Sequence, residues 1–277
     1  MFLPAATCSL TAAFVLLAVT AVELDCECGL QPIRSRIVGG RTANTSEYPW
    51  MAVLVENLTG RAFCGASLIN TKFVLTAGHC MINQDETTFH VVLGENDITS
   101  PSSQSLFRVT RVHTHPQFSG PPDFSNDLTL VELEKAVDFS GRMTPVCLPQ
   151  VGPSEFPTSQ YGYLMVAGWG LLQEKGQQPK TLVEADIVQR SSSYCAQVYG
   201  PKFTSKHICA NSASSSVCNG DSGGPLMLRS NGKIFEIGVV SYGYVCGNYR
   251  YPAAFTRTQE YLDWIFATTG SAQYCPK

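Results

Sequence analysis

The sequence has no run of basic residues, no long apolar stretch beyond its N-terminus, and little charge. Its 277 residues carry 19 Lys and Arg against 22 Asp and Glu, a formal net charge of −3. That leaves no electrostatic footprint for nucleic acid. After the N-terminus no apolar run reaches the ~18 residues that a membrane-spanning helix needs, which excludes a multi-pass membrane protein. No internal repeat recurs at a fixed period. With 44% apolar and 15% charged residues, the chain is neither disordered nor collagen-like. Its length allows one or two domains of roughly 100–200 residues and is ample for a packed core.

Cysteine is what the chain has in excess. There are 11, spread along the sequence, which argues for an oxidising compartment and disulfides. A zinc site calls for close pairs; only Cys26-Glu27-Cys28 is close, and no second pair matches it. Thr11 to Val22 form an apolar run with the length of a signal-peptide core, and Val19-Thr20-Ala21 offers small or modest residues for cleavage near Ala21. No Lys or Arg precedes that run. Residues 1–21 are therefore expected to be a signal peptide of a secreted, extracellular protein. Their removal takes Cys8 and leaves an even number of cysteines. Two sequons, Asn44-Thr45-Ser46 and Asn57-Leu58-Thr59, are candidate glycosylation sites and require surface positions if used.

From Ile37 onward the apolar stretches are short: Met51 to Val55, Lys72 to Leu75, His90 to Leu93, Leu128 to Leu133, Leu164 to Ala167 and Ile234 to Val240. Clusters of Gly, Pro, Asn and Ser separate them, the pattern of an all-β protein. One helix is expected, over Thr258–Ala267, with Tyr261, Leu262, Ile265 and Phe266 at helical spacing. Thr258 is its expected N-cap and Gly270 its stop.

Three strings carry chemistry. In Asn219-Gly220-Asp221-Ser222-Gly223-Gly224-Pro225, glycines flank a serine, so the backbone can turn tightly and present N–H groups to an oxyanion. Leu75-Thr76-Ala77-Gly78-His79-Cys80 supplies a histidine, the side chain suited to general-base work near neutral pH. Asn126-Asp127-Leu128-Thr129-Leu130 opens an apolar strand with a carboxylate that could orient an imidazole.

The order His79, Asp127, Ser222 is that of the chymotrypsin triad. The sequence resembles the trypsin/chymotrypsin-like serine proteases from Ile37 to about Ala267. Further matching strings are Arg36-Ile37-Val38-Gly39-Gly40, Tyr48-Pro49-Trp50, Pro145-Val146-Cys147-Leu148-Pro149 and Gly168-Trp169-Gly170. The resemblance implies two packed six-stranded antiparallel β-barrels with a C-terminal helix, and an active site in the cleft between them. It implies Ser222 as nucleophile, His79 as general base, Asp127 as orienter, and the Gly220 and Ser222 amides as oxyanion hole. Residues 22–36 become a propeptide and 37–277 the protease domain. A cut after Arg36 frees the Ile37 amine to pair with Asp221, which a buried carboxylate needs.

The family pattern also implies the disulfides Cys64–Cys80, Cys195–Cys209 and Cys218–Cys246. A further family pair is replaced at both positions, by Leu164 and Leu228. Cys26, Cys28, Cys147 and Cys275 remain, with three possible pairings. A Cys26–Cys28 bond is strained across one residue. The favoured pairing joins one propeptide cysteine to Cys147 and the other to Cys275.

By the same alignment Ser216 forms the base of the specificity pocket, where trypsin-like members carry Asp. Val217 follows, and Ser241, Tyr242, Gly243 and Ala253 form the walls. The expectation is cleavage after Leu, Met, Phe or Tyr, which makes a separate trypsin-like protease the activator. Glu95 occupies one position of a calcium loop known in relatives, but Ser105 stands where a second carboxylate is needed, so no tight calcium site is expected. His113, His115 and His207 read as structural or surface residues, and Trp169 and Trp264 as packing residues. No metal or cofactor is expected. The implied partners are protein or peptide substrates, the activating protease and protein protease inhibitors, with the enzyme itself a monomer. Two rivals remain: trypsin-like specificity, and a non-catalytic protease homologue acting as a binding protein.

Overall fold

The computed structural model describes residues 26–31, 41–43, 46–139, 142–149, 163–172, 176–212, 217–246, 248 and 250–276. The expected leader, Arg36, Ile37, Asn44 and Ser216 lie outside these residues. Thirteen strands are described. They are β1 (Arg41–Thr42), β2 (Met51–Glu56), β3 (Ala62–Leu68), β4 (Phe73–Thr76), β5 (Phe89–Leu93), β6 (Leu106–Thr114), β7 (Thr129–Leu133), β8 (Tyr163–Gly168), β9 (Val183–Gln189), β10 (His207–Asn211), β11 (Pro225–Ser230), β12 (Lys233–Tyr242) and β13 (Ala253–Arg257). Each apolar stretch picked out in the sequence lies in or overlaps one of them.

Strands β2 to β7 close into an antiparallel barrel in the order β2-β3-β4-β7-β6-β5. The second barrel runs β9-β10-β13-β12-β11-β8, with β8 pairing back onto β9 and β1 added at the side of β9. Closure leaves no long exposed edge. Inside the first barrel Leu54, Leu68, Leu75, Leu93, Leu130 and Leu133 are fully buried. At ~25 cal/mol per Å² of apolar area removed from water, such layers supply most of the drive to fold.

Two of the contacts that hold the barrels together are made by side chains near the seam. Trp50 Nε1 lies 3.2 Å from Met227 Sδ across the seam. Nearby, the Ser67 hydroxyl donates to the carboxylate of Glu236, and both side chains are fully buried. The β11–β12 register shifts between Leu226 and Met227, so the alternation of faces breaks beside Glu236. Burial pushes this carboxyl up to about 8, only partly opposed by the Ser67 hydrogen bond.

The C-terminal helix is expected from Thr258, and its first turn is instead a 3₁₀ turn, Thr258–Tyr261, capped by Arg257. Thr258 is not the N-cap. Its hydroxyl is buried with no hydrogen-bond partner among the described residues. The α-helix covers Leu262–Thr269 and stops at Gly270, φ 54°. It lays Leu262 and Ile265 against the core of the first barrel. A second helix, Ser192–Tyr199, was not expected. Ser191 caps it by accepting the Tyr194 amide, and Gly200 ends it. The two helices are α1 (Ser192–Tyr199) and α2 (Leu262–Thr269).

Five disulfides are present among the described residues: Cys26–Cys275, Cys28–Cys147, Cys64–Cys80, Cys195–Cys209 and Cys218–Cys246. Both cysteines of the N-terminal segment are thus bonded to the body. Leu164 and Leu228, which replace the missing family pair, both pack in the core cluster of the second barrel. No helix among the described residues is long and apolar enough to cross a membrane.

Candidate active site

Asp127 precedes β7 and is fully buried. Its Oδ1 accepts the His79 amide at 2.7 Å, and Oδ2 lies 2.8 Å from His79 Nδ1. The carboxylate thereby fixes both the backbone and the ring of the histidine. A proton on Nδ1 leaves Nε2 as a bare acceptor. His79 sits in a 3₁₀ turn, Gly78–Met81, clamped to β3 by Cys64–Cys80. Its ring stands edge-on to Phe124, 5.7 Å between centroids.

Ser222 comes from the second barrel, in the loop before β11. Its carbonyl accepts the Gly65 amide at 2.8 Å, which ties the serine loop to the strand that anchors the histidine turn. Gly223 has φ +79°, and a Cβ there would stand 2.1 Å from Thr76 Oγ1 and 2.6 Å from the Gly65 carbonyl. Only glycine fits this approach of the two barrels. Neither the Gly220 nor the Ser222 amide donates to a protein acceptor among the described residues. The Ser222 hydroxyl likewise makes no hydrogen bond to His79. Such contacts are often loose in unliganded sites and tighten when substrate arrives.

Asp221 takes a different environment. Its Oδ1 accepts the Gly170 amide at 2.9 Å and Oδ2 the Cys218 amide at 2.9 Å. The residue keeps some exposed surface, but the carboxylate is packed so closely on Gly168 and Gly170 that a Cβ on either would lie within 2.5 Å of it. No cation faces it among the described residues. Desolvation pushes it up to about 6, against the pull of the two amides.

Beside Ser222 lies a cavity of about 150 Å³. Val217, Ser241, Tyr242, Gly243 and Ala253 all line it, and its described lining has no charged side chain. Tyr244, Val245 and Tyr251 form a partly exposed rim. The Ser241 hydroxyl also has a second task that the sequence did not disclose: it donates to Asp127 Oδ2 at 2.5 Å. Nothing local in Val240-Ser241-Tyr242 signals that contact, which depends on docking one barrel on the other. Past Val240, whose amide and carbonyl bond Gly224 and Gly223, the edge of β12 opposite β13 has no strand partner among the described residues.

The remaining candidates are accounted for one by one. Glu95 Oε1 accepts the Ser102 amide at 2.9 Å and the Ser105 hydroxyl at 2.7 Å, so the serine at the second calcium-loop position serves this carboxylate directly. His113 meets Glu132 at 3.3 Å, and His115 packs on Tyr261 and Trp264. His207 is buried and accepts the Thr204 amide at 3.1 Å; desolvation pushes it down to about 4. Trp169 is buried and donates to the Asn96 carbonyl. Cys64, His79 and Cys80 cluster closely, but the two sulfurs are joined in a disulfide and offer no thiolate to a metal. Asn57 is exposed in the β2–β3 turn and keeps one amide hydrogen free, since Nδ2 donates to the Thr87 carbonyl while Oδ1 meets His90.

A histidine–carboxylate pair from one barrel, offered to a glycine-flanked serine loop on another, defines the class of two-barrel serine proteases. The profile of the family described as Trypsin matches residues 37–265, and the chain belongs to that family. It is 34% identical over 260 residues to Transmembrane protease serine 9 of Rattus norvegicus, covering 90% of this chain and 24% of that protein. To Venom serine protease 34 of Apis mellifera it is 32% identical over 260 residues, covering 91% of this chain and 62% of the relative. Phenoloxidase-activating factor 3 of Holotrichia diomphalia is 34% identical over 265 residues, covering 86% and 74%. The chain thus spans about a quarter of the first relative's length and less than two thirds of the second's.

Proposed function

We propose that the protein is a secreted serine endopeptidase, made as a zymogen and activated by a cut after Arg36, that cleaves after uncharged residues. The observation that carries this reading is the buried Asp127–His79 pair beside a serine loop with two uncommitted amides. In the proposed reaction His79 Nε2 takes the Ser222 proton as Oγ attacks the scissile carbonyl. The Gly220 and Ser222 amides receive the oxyanion. His79 then hands the proton to the leaving amine, and water hydrolyses the acyl-enzyme by the reverse relay. The side chain before the scissile bond enters the cavity between Val217–Asn219 and Ser241–Gly243. Residues upstream extend along the free edge of β12 as an added strand.

The uncharged described lining supports a preference for Leu, Met, Phe or Tyr. Asp221 supports the activation step, because it is a desolvated carboxylate that no cation faces among the described residues, and the Ile37 amine would supply one. Signal-peptide removal at residue 21, a propeptide of residues 22–36, glycans on Asn44 and Asn57, and restraint by protein inhibitors complete the proposal. The Cys28–Cys147 bond would keep the propeptide attached after the cut.

The test uses protein cut after Arg36, a mixed peptide library and mass-spectrometric reading of cut sites, with Ser222→Ala as control. The expected result is cleavage after Leu, Met, Phe or Tyr that the control lacks. Cuts mainly after Arg or Lys would overturn the pocket reading. No cuts, with no labelling by a serine-directed phosphonate, would mean that the chain is a binding protein.

A further inference from the structure

The rim of the cleft holds a lysine with no ion-pair partner among the described residues. Lys202 closes the 3₁₀ turn Gly200–Lys202 after α1, a segment pinned at its base by Cys195–Cys209. Its Nζ lies 4.5 Å from the ring centroid of Tyr242, 5.2 Å from Tyr244 and 5.4 Å from Tyr199. The rings are themselves locked together. Tyr199 stacks on Tyr244 at 5.0 Å, meets Tyr242 edge-on at 5.1 Å, and donates its hydroxyl to the Pro252 carbonyl. Tyr242 and Tyr244 both line the cavity beside Ser222.

The ammonium is therefore held over ring faces by cation–π attraction rather than by a carboxylate. Asp123, on the facing loop of the first barrel, is exposed; its charge favours the charged lysine but makes no ion pair within 4 Å. Partial burial strips water from the ammonium and lowers its affinity for its proton, with desolvation the larger influence. A cation that has lost part of its hydration, on a rigid aromatic base, gains more from an incoming anion than a free surface lysine does.

We propose that Lys202 forms a subsite for an acidic residue of the substrate, upstream of the residue that enters the cavity. This rests on the protease reading above and narrows its substrate class. A peptide laid along the free edge of β12 passes over Tyr242, and its upstream side chains come within reach of the ammonium. The site then reads two features together: an uncharged side chain before the cut, and Asp or Glu two to four residues further back.

The experiment uses the protein cut after Arg36 and fluorogenic peptides that share one uncharged residue before the cut. Within each pair, Glu or Gln occupies the second, third or fourth position back from the cut. At low salt the wild type is expected to show a kcat/KM ratio favouring Glu by about fivefold to tenfold at one of these positions, falling toward one as salt rises. Lys202→Met brings the ratio to about one at all salts, Lys202→Arg retains it, and Lys202→Glu turns the preference toward Gln. The ratio is read within one preparation, so differences in folded amount cancel. A wild-type ratio near one at every position, or a Glu preference that survives in Lys202→Met, overturns the subsite while leaving the protease intact. Failure to cut either member of any pair, with no phosphonate labelling, overturns both.

Discussion

Asp127 and Asp221 are both withdrawn from water, one on the wall of the first barrel and one in the serine loop of the second. Asp127 meets three donors with its carboxylate, from the His79 amide, the His79 ring and Ser241. Its own carbonyl accepts the Thr256 hydroxyl from β13 at 3.0 Å. Asp221 has two backbone amides and no cation among the described residues, and its carboxyl is raised to about 6. The histidine wall is complete within the described fold. The serine loop carries a carboxyl that the described residues leave without a counter-charge. On the proposed function, one half of the chemistry is ready on folding, and the other half would wait for the cut after Arg36.

The largest expected effect falls on the finished wall. Asp127→Asn should lower kcat of the cut protein by about 10⁴, the size of this change in the family's reference enzyme, with little change in KM. Steady-state kinetics on one peptide decides it; a loss under tenfold would mean that His79 is oriented by something else. Asp221→Asn should lower kcat of the cut protein by about 10² or more, comparable to losing an oxyanion donor. Equal activity of cut and uncut wild type would remove the contrast between the walls altogether.

A third prediction concerns pH and the uncut chain. Folded Asp221 binds its proton more tightly than it does unfolded, so its contribution to stability is full below about pH 3.8 and is lost as pH rises through about 6. The loss is up to about 3 kcal/mol. Glu236 acts in the same direction from 4.5 to about 8. His207, pushed down to about 4, acts oppositely: its contribution is lost as pH falls from 6.5. Denaturant melts should therefore be read as differences from Asp221→Asn and Glu236→Gln. The Asp221 difference should vanish after the cut at Arg36 and the Glu236 difference should persist. Smallest is Ser241→Ala, which removes one donor from Asp127 and should cost about 2 kcal/mol, seen as a roughly thirtyfold fall in kcat. An unchanged kcat would reduce Ser241 to a wall of the pocket.

The strings around His79, Asp127 and Ser222 were legible because the chemistry needs fixed residue types at fixed neighbours, and the fold brings these three stretches to one seam. The strands followed from short Val- and Leu-rich runs between turns. Contacts made only by docking one barrel on the other were not legible. Ser241 looks like a pocket residue in any local window, and its bond to Asp127 exists because the end of β12 is brought against the residues that lead into β7. Glu236 stands in the apolar stretch Ile234 to Val240, two residues from the fully buried Ile234, and the donor that accompanies its burial is a serine 169 positions away. Helix α1 escaped notice because eight residues with only Cys195 and Tyr199 buried carry almost no apolar periodicity.

The Cys26–Cys275 bond joins positions 249 residues apart, and Cys28–Cys147 closes a smaller loop within it. In covalent terms the folded molecule is a ring with a chord. A single nick anywhere between Cys28 and Cys147 opens only the inner loop: the chord keeps both pieces joined and the outer ring closed. The uncut chain and a form cut after Arg36 would then share one mass, apart from a water, and one mobility until a reductant is added. A gel under non-reducing conditions would therefore not register the proposed cut after Arg36.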